Sequence, residues 1–128
     1  MKAAFTLIEV MAAMAILSIA MLVLMQNQTG AMTQVLRVQN YERGVMITEN
    51  QMHWTYLDLN EAQTWEDYAD LSGEDGDYQW SVHIEPMEME TQVDTRVIML
   101  KIQASTTWPQ GKGQNSYHLE SLYLWGEE

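Results

Sequence analysis

Between Phe5 and Met25 the chain has 21 residues whose only ionisable side chain is Glu9. At ~1.5 Å rise per residue a helix over this run spans roughly 30 Å, about one hydrocarbon thickness. The run holds no Pro and no Gly, and its Ala, Met and Leu favour helix. It predicts a transmembrane helix, with Lys2 placing the amino terminus in the cytoplasm. A cleaved secretory signal is the alternative. Its apolar stretch is normally about 7–15 residues and closes on a small-x-small site. Here the run is longer and passes through MQNQTGAMTQ into further helical pattern, which favours a retained helix. Glu9 is the anomaly. A carboxylate costs on the order of 2.5–3.5 kcal/mol at mid-bilayer by insertion scales, so it needs a partner or an escape to the interface. A cut before Phe5 would create an α-amino cation at the membrane's edge.

FTLIEV followed by about fifteen apolar residues resembles the signal of type IV pilins and type II secretion pseudopilins. The resemblance implies cleavage by a prepilin peptidase between Ala4 and Phe5, N-methylation of Phe5, and Glu9 as the assembly carboxylate engaging the terminal amine of a neighbouring subunit. The chain departs from the family pattern at Ala4, where the family has glycine. The domains implied are a leader over 1–4, a transmembrane and assembly helix over 5–25, and a periplasmic head over 26–128. Localisation follows: a single-pass protein of a Gram-negative inner membrane, amino terminus cytoplasmic, head periplasmic and incorporated in a filament.

A helical stripe continues beyond the membrane through Ala31, Val35, Val38, Tyr41, Val45, Thr48, Met52, Tyr56 and Leu59. Gly30 and Gly44 fall within it as flex points or tolerated positions. An amphipathic half-helix needs a cover, and three segments alternate like strands. DYQWSVHIEP places Tyr78, Trp80, Val82 and Ile84 on one face and closes at Pro86; TRVIMLKIQAS places Ile98, Leu100, Ile102 and Ala104; SYHLESLYLW opposes Tyr117, Leu119, Tyr123 and Trp125 to His118, Glu120, Leu122 and Leu124. EPMEMETQVD and TTWPQGKGQN read as loops. The fold class predicted is α+β: a long spine helix packed by its second half on a small antiparallel sheet of three to four strands, as in pilins.

The formal charge is −12, and from Glu49 onward there are sixteen acidic residues against Arg96, Lys101 and Lys112. So acidic a surface repels phosphates and argues against nucleic-acid binding. The absence of Cys removes disulfides, thiolate metal sites and cysteine nucleophiles. WEDYADLSGEDGDY reads as a solvated acidic loop; Glu74, Asp75 and Asp77 are its calcium candidates, because hard cations take oxygen ligands and some members of the resembled family bind calcium in their heads. No other cofactor is called for. His53 pairs locally with Glu49, His83 and His118 fall on polar strand faces, and no serine sits in an elbow motif. Nothing points to an enzyme. Met11, Met14, Met21 and Met25 form either a subunit-facing stripe or generic lipid-facing surface. Trp65, Trp108 and Trp125 are partner anchors if exposed and core if buried.

Within the family, the small head and ITENQM, similar to the AENRL-like stretch of that subfamily, most resemble the minor pseudopilin I of the general secretion pathway. Its implied partners are minor J- and K-type pseudopilins, the major pseudopilin, the prepilin peptidase and the inner-membrane assembly platform. A minor pilin of a type IV pilus and a membrane-anchored periplasmic binding module are the alternatives.

Overall fold

Helix α1 (Leu7–Glu61) runs unbroken for 55 residues in the computed structural model, which describes residues 4–87 and 97–126. Leader positions 1–3 with Lys2, Arg96 and most of the predicted 85–94 loop lie outside the described residues. The chain divides between Val38 and Gln39 into two compact units. The first is helical from Leu7 onward. Every described side chain from Ala4 to Val38 is exposed, and the helix is long and apolar enough to cross a membrane. Its hydroxyls are satisfied within the helix: Ser18 donates to the Met14 carbonyl at 2.8 Å, Thr29 to Met25 at 3.0 Å and Thr33 to Thr29 at 3.0 Å. That bonding is what an apolar solvent requires of a polar side chain.

The second unit packs the rest of α1 on one antiparallel sheet in the order β1-β2-β3-β4, with β1 Asp70–Asp75, β2 Tyr78–Met87, β3 Val97–Gln110 and β4 Gly113–Gly126. The α+β class and the buried faces of the three predicted strands are as expected. Val82, Ile84, Leu100, Ile102, Ala104 and Trp125 are buried together with Met52 and Leu59 of α1. Burial of a side chain of this size is worth about 1.5–3 kcal/mol. Ile47, Tyr78 and Trp108 form a second cluster.

Four expectations need correction. The acidic run is not a loop: Asp70–Asp75 pairs with Tyr78–His83 as the fourth strand, closed by the two-residue turn Gly76-Asp77. Gly76 has φ +61° while Asp77 does not have positive φ, the pattern of a II′ hairpin turn. Nor is TTWPQGKGQN a loop, since β3 and β4 stay paired up to Gln110↔Gly113, leaving only Gly111-Lys112, with Gly111 again at φ +61°. Pro109 is tolerated because it pairs with Gln114 next to the bonded turn-closing pair, where the main-chain N–H would point away from β4, beyond the last β2 pair Gln79↔Thr107. Pro86 likewise does not end β2, which runs to Met87. It shares the parity of Ile84, whose N–H donates to the Ala69 carbonyl on the β1 side, and β1 stops short of it.

The fourth correction concerns the stripe on α1. Ala31, Val35 and Val38 belong to the exposed first unit, Tyr41 is exposed, and Val45 and Tyr56 are half-buried. The fully buried set is Gly44, Ile47, Thr48, Met52, Thr55 and Leu59. The contact line runs through small and hydroxyl side chains because Trp108 of β3 fills the space over Gly44, its ring 6.0 Å from Tyr41 and 5.6 Å from Tyr78. Gly44 is therefore a packing position. Beside it, the buried Thr48 and Thr106 hydroxyls lie 2.7 Å apart, and Thr48 Oγ1 is 2.9 Å from the Gly44 carbonyl. With Thr48 donating to that carbonyl, Thr106 donates to Thr48, and both hydroxyls are paired.

A Cβ at position 44 would stand 2.7 Å from Trp108 Cη2, while one at Gly30 meets nothing within 4 Å. Alanine in a helix gains up to ~1 kcal/mol over glycine, but overpacking costs about 1–3 kcal/mol. Gly44→Ala is expected to lower the head's Tm in thermal denaturation and Gly30→Ala to leave it unchanged, while in a Trp108→Leu background Gly44→Ala costs less than in the native chain. A Tm raised by Gly44→Ala alone contradicts the packing account.

Candidate functional site

The first turn of α1 gives Glu9 a role inside its own chain. Thr6 is the N-cap and Glu9 the third helical residue, so T-x-x-E forms a capping box ahead of the apolar run. The Thr6 N–H donates to Glu9 Oε2 at 2.8 Å, the Thr6 hydroxyl donates to the same oxygen at 3.0 Å, and the Glu9 N–H lies 3.4 Å from Thr6 Oγ1. Phe5 and Val10 take the flanking positions of a hydrophobic staple, and with Glu9 they line one open groove. A carboxylate here also meets the positive end of the helix dipole.

These bonds use one oxygen. Glu9 Oε1 accepts no hydrogen bond among the described residues. The carboxylate is thus held in orientation by Thr6, exposed, and one acceptor short of saturation. Phe5, 86 % exposed, stands just before the capped turn, and Ala4 is exposed beside it. The Ala4–Phe5 bond is accessible, and the amine released by cutting it would belong to the residue preceding the N-cap. Chemically, the site can offer a fixed, exposed anion to a cation through a charge-assisted hydrogen bond. The signal for the capping box was in FTLIEV itself, as Thr followed three residues later by Glu.

The other candidates are dispersed. Glu74 points to the sheet face away from α1, Asp75 lies 3.4 Å from Arg43 Nη2 of α1, and Asp77 sits in the turn. Arg43 also lies over the Tyr78 ring at 5.1 Å. Among the described residues no three His, Asp or Glu side chains are gathered as metal ligands. His53 stands edge-on to Trp54 at 6.3 Å, and among the described ion pairs none joins it to Glu49. His83 Nδ1 lies 2.6 Å from Asp70 Oδ1 on the outer sheet face, and His118 lies 3.4 Å from Ser116 Oγ. Met11, Met14, Met21 and Met25 are all exposed. Trp108 and Trp125 are core, and Trp65 packs against it half-buried.

The outer face holds one ion pair that shifts titration. The Lys101 ammonium hydrogen-bonds Glu85, which holds the Glu85 carboxyl below its ordinary 4.5 and the Lys101 amine above its ordinary 10.5. Its contribution is present between those two ordinary values. It is lost as pH falls through the lowered value of Glu85 or rises through the raised value of Lys101.

Residues 1–25 match the family described as the prokaryotic N-terminal methylation motif. The match supports a type IV pilin or pseudopilin type of amino terminus. No curated protein and no solved structure matches the chain significantly.

Losing an N-cap hydroxyl costs about 1 kcal/mol. Thr6→Val should therefore speed amide exchange in the first turn about fivefold, measured by NMR in micelles, and leave exchange in the head unchanged. Equal first-turn exchange in both proteins would show that the box does not hold the helix end.

Proposed function

We propose that the chain is a pilin-type filament subunit, and specifically a minor pseudopilin of the type II secretion system. In this role it is a structural component of the pseudopilus tip that helps initiate assembly and so supports export of folded proteins across the outer membrane. The observation that carries the proposal is the first unit: a helix fit to span a membrane whose described side chains are exposed, carrying a methylation motif over residues 1–25 and one fixed, unsaturated carboxylate in its first turn.

The reaction sequence follows from those residues. Cleavage between Ala4 and Phe5 releases a cationic amine at the cytoplasmic edge, which methylation leaves basic. While the subunit is in the membrane, lipid covers the exposed apolar side chains. In the filament like helices cover them, and the Glu9 carboxylate receives the Phe5 amine of a neighbour. The minor J- and K-type pseudopilins, the major pseudopilin and the assembly platform are the partners on this reading, and no step makes the chain a catalyst. Its head is small and free of cysteine, which favours the secretion assignment over a type IV pilus.

Coexpression with a prepilin peptidase and mass spectrometry of the amino terminus tests the proposal. The expected product begins at Phe5 and carries one added methyl group, and Ala4→Gly raises the processed fraction. An intact or differently cut terminus would favour a membrane-anchored binding module. Deleting the gene then separates the filament types: loss of exoprotein secretion with intact piliation is expected, and the converse assigns a type IV pilus.

A further inference from the structure

The sheet has two edges of opposite character. β1 is six residues long and carries Asp70, Glu74 and Asp75. β4 is fourteen residues long, with Glu120 as its only charged side chain and no Pro. Its pairing with β3 is continuous from Val97↔Gly126 to Gln110↔Gly113, without a bulge. Charge, proline, shortness and bulges are the usual means of blocking an edge. β1 has two of them and β4 has almost none.

The free main-chain groups of β4 follow from the ladder. Gln110–Gly113 closes a two-residue hairpin and is a bonded pair, and pairs alternate from there. Gln114, Ser116, His118, Glu120, Leu122 and Leu124 thus turn their N–H and C=O groups out of the sheet. Two of these groups are engaged locally: the Ser116 N–H donates to Asn115 Oδ1 at 2.9 Å, and the Tyr56 hydroxyl lies 3.3 Å from the Leu122 carbonyl. Among the described residues the stretch from His118 to Leu124 is otherwise open.

At its Leu122–Leu124 end the outer face of the sheet carries apolar side chains beside the Lys101–Glu85 pair, while His118 and Glu120 share that face nearer the turn. Leu122 and Leu124 are 55 % and 63 % exposed. Register places Leu124 beside Met99 and Met99 beside Met87, which is itself exposed. The rest of the outer face is polar, with Ser81 bonded to Ser105 and Gln103 to Glu120. An apolar patch that runs to an unblocked edge marks a place where another chain is covered.

We infer that β4 accepts an extended segment of a different protein as a fifth strand, one with apolar residues at alternate positions and no net negative charge. The outward main-chain row selects an extended backbone, and Leu122, Leu124 and Met99 select apolar side chains on one face. The sixteen acidic residues from Glu49 onward, against three basic ones, select the charge and oppose a second copy of this chain. The inference uses the head alone and does not depend on the filament assignment.

The test uses the full chain in neutral detergent micelles and a short acetylated peptide alternating valine and lysine. Controls are a peptide of the same composition without alternation and an alternating valine–glutamate peptide. The alternating lysine peptide should bind at least about tenfold more tightly than either control and slow amide exchange at His118, Glu120, Leu122 and Leu124. The charge-neutral double substitution Leu122→Ser with Leu124→Ser should weaken binding about tenfold with the head's Tm retained. His118→Pro, whose lost N–H faces outward, should also abolish the exchange protection. Equal binding by these variants, or protection instead around Met46, Trp54 and Leu57 of α1, overturns the inference. Self-association of the chain through β4, removed by the serine variant, replaces the foreign strand with a second copy.

Discussion

An apolar helix segment whose side chains stand exposed needs cover from apolar surroundings. From Ala4 to Val38 every described side chain is exposed, and each large apolar one left in water forgoes about 1.5–3 kcal/mol. Lipid and a bundle of like helices both supply cover, and lipid tails are as apolar as leucine, so moving between them is nearly even for Leu, Ile and Met. The contribution that does not cancel belongs to Glu9. Unpartnered at mid-bilayer it costs on the order of 2.5–3.5 kcal/mol, and meeting a cation removes that cost. On the proposed filament reading, the direction of assembly rests on one carboxylate more than on the twenty residues around it. Its capping bonds to Thr6 fit this role, because they stabilise the anion in place without saturating it.

The head answers a different demand. α1 changes from an all-round apolar helix to one with a narrow contact line, and the sheet is built to that line. Trp108 fits over Gly44, Thr106 meets Thr48, and Leu59 closes against Ile84 and Leu100 in the main cluster. What the sheet turns away from the helix is divided. Its polar pairs, its acidic β1 edge and its β4 edge with the single charge of Glu120 each constrain which neighbours the head accepts.

The sequence made much of this legible. Strict alternation exposed the buried faces of β2, β3 and β4 because each has one dry side. β1 escaped notice because its acidic side chains masked Leu71 and the turn glycine of the hairpin, although Asp-Gly was present at 75–76. Pro109 and the polar residues near it suggested a loop, whereas the ladder has a place for a proline where no bond is due. The helix stripe was right at Thr48, Met52 and Leu59 but missed Ile47, Thr55 and the packing role of Gly44, which shows only when Trp108 is seen against it. Leu122 and Leu124 broke the polar alternation of β4 in plain sight. Only register, by lining Leu124 up with Met99 and Met87, gave that break a surface. At the amino terminus the motif named Glu9 as a partner for an amine, but not as the cap of its own helix.

Separating those two roles of Glu9 is the most direct test. Glutamine also serves in a capping box but carries no charge for an amine. The measurement is incorporation of Glu9→Gln and Glu9→Ala subunits into filaments, scored beside their insertion into the membrane. If the carboxylate answers a neighbour's amine, both variants insert normally and both fail to incorporate. Normal incorporation of Glu9→Gln, with failure of Glu9→Ala alone, would reduce Glu9 to a helix cap and contradict the account.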